Sequence, residues 1–304
     1  MGTPFRWVAF NLFILLAVLA DLRFIHHKPH KSSVREAALW SLAWIAVSIL
    51  FGIGIHFYFG APASLEYFTG YLIEKALSVD NLFLFLVIFR AFAVDVRVQQ
   101  RLLQWGVFGA LLMRALMILA GAALIERFSW ILYLLGAFLV FVGIRMLFAK
   151  KEKIHPEQNA IFRFANQHLR VTREYQGEHY FVRRAGQLFA TPLFVVLLVI
   201  EITDITLAID SIPAVFGITR DPFIVYTSNV FAILGLRALY FLLAGVLGRM
   251  RYLTVGLSFV LVFIGAKIAA EPWLHIPVQI SLGAVAGILT LAIIASLAAP
   301  SDPA

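Results

Sequence analysis

The chain of 304 residues has no cysteine, which excludes disulfides and thiolate metal sites. Charge is also scarce. Only 14% of residues are charged while 62% are hydrophobic, a balance far outside that of a soluble domain. Strict alternation of polar and apolar residues is missing as well; the apolar residues form continuous runs. That excludes a transmembrane β-barrel and leaves an all-α, polytopic membrane protein. Neither the GxGD pattern of intramembrane aspartyl proteases nor HExxH occurs, which argues against an intramembrane enzyme. The net charge of +8 invites a nucleic-acid partner, but the basic residues fall in short loops between apolar runs. They carry a topology signal, and the partner they imply is the lipid bilayer. The first run has only Arg6 before it and no small-residue cleavage site after it, so it reads as a span and not as a signal peptide.

Nine spans fit the hydropathy: 5–24, 36–59, 66–91, 102–124, 128–148, 188–217, 223–247, 252–270 and 276–298. One set of connections holds Lys28, Lys31 and Arg35, then Arg97 and Arg101, then Arg249 and Arg251, together with the long basic loop 149–187. The alternate set holds little beyond Arg6, Arg127 and Arg220. The positive-inside rule puts the first set in the cytoplasm, the N-terminus in the periplasm and the C-terminus in the cytoplasm. Within 149–187, Ile161, Phe162, Ala165 and Leu169 have the spacing of a short amphipathic helix. The histidines there (155, 168, 179) and in the first loop (26, 27, 30) read as solvated loop residues.

The stretch EITDITLAIDSIPAVF, 201–216, breaks the pattern, because Glu201, Asp204 and Asp210 lie inside a span. An acid at a helix centre costs about 2.5–3.5 kcal/mol on insertion scales, so three acids must face a wet cavity or a partner. Neutralisation by Lys or Arg elsewhere in the bundle is the structural alternative. EKALSVDN (74–81) matches DITLAIDS (204–211) at a constant offset of 130 positions. Glu74 thereby pairs with Asp204, Asp80 with Asp210, and Asn81 with Ser211. Further matches equate Arg114 with Arg237, and LVFVGIR (139–145) with LVFIGAK (261–267). Two units of three spans follow, 66–148 and 188–270, with 5–24, 36–59 and 276–298 as extra helices. An odd number of spans inverts the second unit across the membrane, and inverted repeats place a substrate site near the midplane.

The candidate ligands are all oxygen: Glu74, Asp80, Glu201, Asp204 and Asp210, with Asn81, Ser211 and Ser78 nearby. Such a set suits Mg²⁺, Ca²⁺ or Mn²⁺. Pro213 removes a backbone donor, which frees the carbonyl of Ile209 beside Asp210; a local break there would bring Asp80 and Asp210 into line. Lys75, Arg114 and Arg237 offset three of the five acidic charges, and the remaining −2 matches one divalent cation. Arg145 and Lys267 sit near span ends and read as snorkelling side chains.

EKALSVDNLFLF (74–85) and ITDITLAIDSIPAVFGITRDPFIVYTSNVFAILGLRALYF (202–241) closely resemble the TerC/Alx family of bacterial inner-membrane proteins, over roughly residues 66–270. The resemblance implies a LysE-superfamily-like fold, no enzymatic activity, and export of a divalent cation, with Mn²⁺ first and exchange for protons as an optional coupling. It carries the family's membrane acids onto Glu74, Asp80, Glu201, Asp204 and Asp210. Association of the family with tellurite resistance and with membrane-protein insertion implies the alternative of a scaffold or stress-resistance component with a structural metal. The charge bias generates a direct prediction. A reporter that works only in the cytoplasm will be active when fused within 149–187, and activity of a periplasm-only reporter there would overturn the topology.

Overall fold

A computed structural model describes residues 2–25, 34–128, 130–148, 171–172, 175–177, 179–184, 186–243, 252–274 and 276–298. The helices among them are α1 (Pro4–Ile25), α2 (Val34–Phe59), α3 (Ala61–Ala91), α4 (Val96–Arg127), α5 (Ile131–Phe148), α6 (Pro192–Phe216), α7 (Pro222–Ile233), α8 (Leu236–Leu243), α9 (Leu253–Ala270) and α10 (Val278–Ala298). Among the described residues, six stretches are long and apolar enough to cross a membrane: Arg35–Phe59, Val98–Arg127, Ile131–Phe148, Pro192–Phe216, Leu253–Ala270 and Val278–Ala298. The chain is thus a polytopic helical membrane protein. Apolar side chains such as Phe57, Leu112, Phe141 and Leu291 stand exposed on the outside of the bundle, as a lipid-facing surface requires.

Three sequence expectations need correction. The span expected at 188–217 starts later, because 187–190 is a strand. It pairs antiparallel with 181–184 in a small hairpin, so the chain is not wholly helical. Thr191 ends the hairpin by donating its hydroxyl to the His179 carbonyl, and Pro192 then opens α6 at the position where its missing N–H costs nothing. Second, the span expected at 223–247 is broken. α7 begins at the Asp221 cap, whose carboxylate accepts from the amides of Phe223 and Ile224. It ends at Leu234, and Gly235 takes φ +79. A side chain at 235 would also strike the Trp44 ring of α2, so glycine is required twice over. Third, α6 runs through Pro213 without unwinding. The break in this half of the protein is at 234–235 and not beside Asp210. The amphipathic stretch 161–169, His26, His27, His30, His155 and His168 lie outside the described residues.

The bundle core divides in two. One cluster joins α1, α2, α5, α9 and α10 to parts of α3, α6 and α7. The other fills the far half of α3, α4 and α6 with Leu82, Phe85, Leu102, Val196 and Ile200. Polar contacts register the outer helices: Ser48 with the Tyr67 hydroxyl at 2.8 Å joins α2 to α3, and Tyr226 donating to Asn11 at 2.7 Å joins α7 to α1.

α5 and α9 pack closely and antiparallel. Gly136 faces Gly265 and Ile268, while Gly143 faces Ser258 and Val262. The sequence match equates Gly143 with Gly265 and Gly136 with Ser258, so each contact is the counterpart of the other. Gly70 of α3 against Ser228 of α7, and Gly106 of α4 against Ile200 of α6, form a second nearly reciprocal pair. Backbones meet where these glycines lie, and a Cβ on Gly265 would come within 2.5 Å of the Gly136 carbonyl oxygen. Replacing Gly265 by Leu is therefore expected to cost about 1–3 kcal/mol or more, read as a lower melting temperature in detergent. Gly283→Ala, at a position with open space around it, will leave the melting temperature unchanged or slightly raised.

Candidate functional site

A polar layer lies where the two apolar clusters meet. α3 contributes Glu74, Lys75, Ser78 and Asn81, α4 contributes Arg114, α6 contributes Glu201, Asp204, Asp210 and Ser211, and α7 contributes Asn229. Glu74, Ser78, Asn81, Arg114, Asp204, Ser211 and Asn229 are all buried. Glu74 and Ser78, one turn apart, share a face of α3.

Arg114 is the centre of this layer, only 2% exposed. Its guanidinium donates to Glu74 Oε2 at 2.7 Å. It also donates to both carboxylate oxygens of Asp204, each at 3.4 Å, and to Asn229 Oδ1 at 3.4 Å. One cation thus ties α4 to α3, α6 and α7. The two acids it holds are the pair that the repeat equates. The planar fork of arginine suits this task, since it bonds several acceptors in fixed directions and stays charged when buried.

The layer is not saturated. Glu74 Oε1, Ser78 Oγ, Ser211 Oγ and Asn229 Nδ2 are buried without a hydrogen-bond partner, as is the Tyr71 hydroxyl one turn before Glu74. Each such atom costs about 1–3 kcal/mol unless water or an ion meets it. The carboxylate oxygen that Arg114 leaves bare and the two serine hydroxyls are hard oxygen donors, the class that Mg²⁺, Ca²⁺ and Mn²⁺ accept.

The other expected site residues divide into three groups. Glu201 is half-buried on α6 and lies against Gly109 of α4, where any Cβ would overlap its carboxylate. Asp210 is half-buried, with Arg145 of α5 inside its electrostatic reach; Arg145 itself is exposed. Lys75 does not meet an acid. Its ammonium donates to the carbonyls of Ala232 at 3.2 Å and Leu234 at 3.4 Å, at the break between α7 and α8. Ile209 is 46% exposed and turned outward. The side chains of Asp80 and Arg237 lie outside the described residues, so their approach to the other acids is not described. Among the described residues no three acidic or histidine side chains converge on a metal-holding group. Lys267, expected to snorkel, is instead buried at 6% exposure beside a cavity near Glu66 and Glu271.

Asn229 and Gly109 were not singled out from the sequence. The signal for Asn229 was present, an amide inside the apolar run IVYTSNVFAIL, but no matched acid drew attention to it. Gly109 matters only through the carboxylate it admits, which requires the packing of α4 on α6.

A model of the integral membrane protein TerC family matches residues 59–303. The chain belongs to the TerC family. It is 44% identical to an uncharacterised membrane protein of Myxococcus xanthus over 98% of this chain and 93% of that protein. It is 45% identical to a protein of Salmonella typhi and 44% identical to one of Escherichia coli K12, both named as candidate membrane-bound redox modulators, Alx. Each match covers 97% of this chain and 94% of the relative. No solved structure matches the chain.

The geometry makes Arg114 the residue on which this TerC protein's core depends. Removing one partner of a buried pair costs about 3–5 kcal/mol because the remaining charge is stranded. Arg114→Met will therefore destabilise the protein strongly, since it strands two carboxylates at once. Adding Glu74→Gln and Asp204→Asn to Arg114→Met will recover much of that loss, as measured by thermal unfolding in detergent. A triple variant no more stable than Arg114→Met would show that the carboxylates are not held by the guanidinium.

Proposed function

We propose that this TerC-family protein exports divalent metal cations, Mn²⁺ first among them, across the bacterial inner membrane in exchange for protons. The observation that carries the reading is the buried Arg114 clamp on Glu74 and Asp204, with the second Glu74 oxygen left bare. A guanidinium between two acids occupies the electrostatic position that a bound cation would take. One guanidinium against two carboxylates leaves the layer with an excess of negative charge, which favours a further cation.

Export then follows from competition. A divalent cation reaching Glu74, Asp204 and the half-buried Glu201 offers two charges where the guanidinium offers one. Coordination needs carboxylate and not carboxylic acid, so any proton on these acids leaves as the metal arrives. Asp80 and Asp210 complete the acidic set in this reading, with Asn81, Ser211 and Ser78 as neutral oxygen donors. The reciprocal contacts of α5 with α9, and of Gly70 and Gly106 with their partners, support two units of opposite orientation around this layer. The basic residues on one set of loops support the direction, with 149–187 cytoplasmic. The absence of cysteine from the chain bears on the redox name of its relatives: any redox influence here does not run through a thiol of this chain. In this reading the protein is a carrier and not an enzyme.

The test is Mn²⁺ uptake by inverted membrane vesicles holding the pure protein. An acidic lumen should accelerate uptake, since protons leave as metal enters. Asp204→Asn, Asp80→Asn and Asp210→Asn each keep side-chain volume while removing a charge, and each should lower uptake at least about tenfold with the protein still folded in the membrane. Metal binding without flux in the wild type would instead favour a scaffold with a structural metal. Wild-type flux in all three variants would remove the acids from the path, and flux indifferent to lumenal pH would remove only the protons.

A further inference from the structure

A groove of about 510 Å³ opens on the outside of the bundle, between α1 and α2 and over the start of α7. That volume lies within the range of about 300–1,000 Å³ usual for small-molecule sites. Phe10, Phe51 and Phe223 belong to its wall. The Phe10 ring meets those of Phe51 and Phe223 at 5.4 and 5.9 Å between centroids, so the wall is a packed aromatic cluster. Phe5, Phe13 and Tyr58 stand exposed along its edge.

Gly54 makes the hollow. Glycine inside a helix is less stable than alanine, and in membrane helices its usual use is to let two elements approach closely. Gly52 fits that use, since a Cβ there would strike the Phe68 ring of α3. Gly54, two residues further on, does not. Nothing lies within 4 Å of the place its Cβ would take, and the residue lines the groove. An apolar hollow facing the bilayer suits an apolar chain, and the bilayer supplies one.

Charge and depth say more about the occupant. Arg6 is the only charged residue in the lining. It lies in the first turn of α1, and its guanidinium stacks 4.7 Å from the ring centre of Phe59, the last residue of α2. The cation is thereby fixed at the membrane boundary. A guanidinium has five donors, so the exposed Arg6 can meet a phosphate whatever else it bonds. Inward from Arg6 the walls are apolar apart from the Tyr58 hydroxyl. Leu50 and Phe59, both in the lining, lie about 14 Å apart along α2, close to the ~15 Å of one leaflet's hydrocarbon. A cation at the boundary above an apolar trough one leaflet deep is complementary to a phospholipid in both charge and length.

We infer that this groove is a binding site for one phospholipid, with an acyl chain lying past Gly54 and the phosphate on Arg6. The charge bias makes the leaflet concerned the periplasmic one. The bound lipid bridges α1, α2 and α7. The site is separate from the Arg114 layer and does not depend on the export reading.

The test adds phosphatidylglycerol, or diacylglycerol with the same chains, to the purified protein in detergent. Binding is read by native mass spectrometry and by thermal unfolding. The wild type should retain one phosphatidylglycerol per chain and melt at a higher temperature as that lipid is added. Diacylglycerol should bind about tenfold more weakly, because it offers Arg6 no charged acceptor. Arg6→Gln should bring phosphatidylglycerol down to the level of diacylglycerol, and Arg6→Lys should keep part of the preference. Gly54→Leu fills the hollow and should abolish retention of both lipids, with the melting temperature in lipid-free detergent unchanged or raised. Ala9→Leu reaches the same hollow from α1 and should also abolish retention, which keeps the inference testable if Gly54→Leu does not fold. Wild-type retention by either filled variant, equal binding of the two lipids to the wild type, a melting shift reproduced by inorganic phosphate alone, or no retained lipid would each overturn the inference.

Discussion

A single guanidinium in an otherwise apolar interior sets the terms for this structure. Arg114 is buried among Glu74, Asp204 and Asn229, and in hydrocarbon none of the four could stand alone. An isolated acid would insert poorly, and an isolated arginine no better. Together they are tolerated, and the arrangement requires α3, α4, α6 and α7 to meet at one depth. Packing in a membrane gains little from apolar burial, because lipid is as apolar as leucine. The polar layer therefore does what an apolar core does in water, and the small residues let the helices come close enough for it. Gly109 admits the Glu201 carboxylate, and Gly70 admits Ser228.

A second built-in cation follows the same logic with a different partner. Breaking a helix at Gly235 exposes carbonyls that lipid cannot satisfy. Lys75 meets those of Ala232 and Leu234 from the neighbouring helix. Broken helices with free carbonyls at membrane depth are common cation sites in carriers. Here the protein's own ammonium occupies the carbonyls, so the break is stabilised without an ion. Arg114 and Lys75 thus hold two positions where oxygen atoms gather.

Much of this was legible before any coordinates. Acids inside a span are costly enough to be noticed, and their recurrence at a fixed offset marked Glu74 and Asp204 as a pair. That Arg114 would bond acids also followed from charge balance. What the residues could not show was which acids it would choose, because that depends on helix rotation and depth. Lys75 was counted against the acids in the charge balance, which carries no direction. Neighbours on a helix point about 100° apart, and it faces α7 instead. Pro213 drew the expected break because proline is the usual cause, whereas the chain breaks at a glycine wedged against Trp44. The hairpin at 181–190 was missed because QLFA reads as the start of the apolar run that follows it. Lys267 looked like a snorkelling end residue, since sequence cannot show that the cavity it faces lies inside the bundle.

Reciprocity links the packing to the proposed transport. If α5 contacts α9 through matched positions, exchanging the two units leaves that interface unchanged. Any asymmetry between inward and outward states must then be carried elsewhere. The matched residues Glu74 and Asp204 are bonded unequally, at 2.7 Å and 3.4 Å, by an arginine that belongs to one unit. Its counterpart, Arg237, belongs to the other. Under the export reading, an arginine drawn from the other unit would give the same pair of acids a second arrangement, related to the first by the proposed repeat. In the export reading, those arrangements are the two faces of an alternating-access cycle, with α5 and α9 as the fixed axis about which the polar layer changes hands.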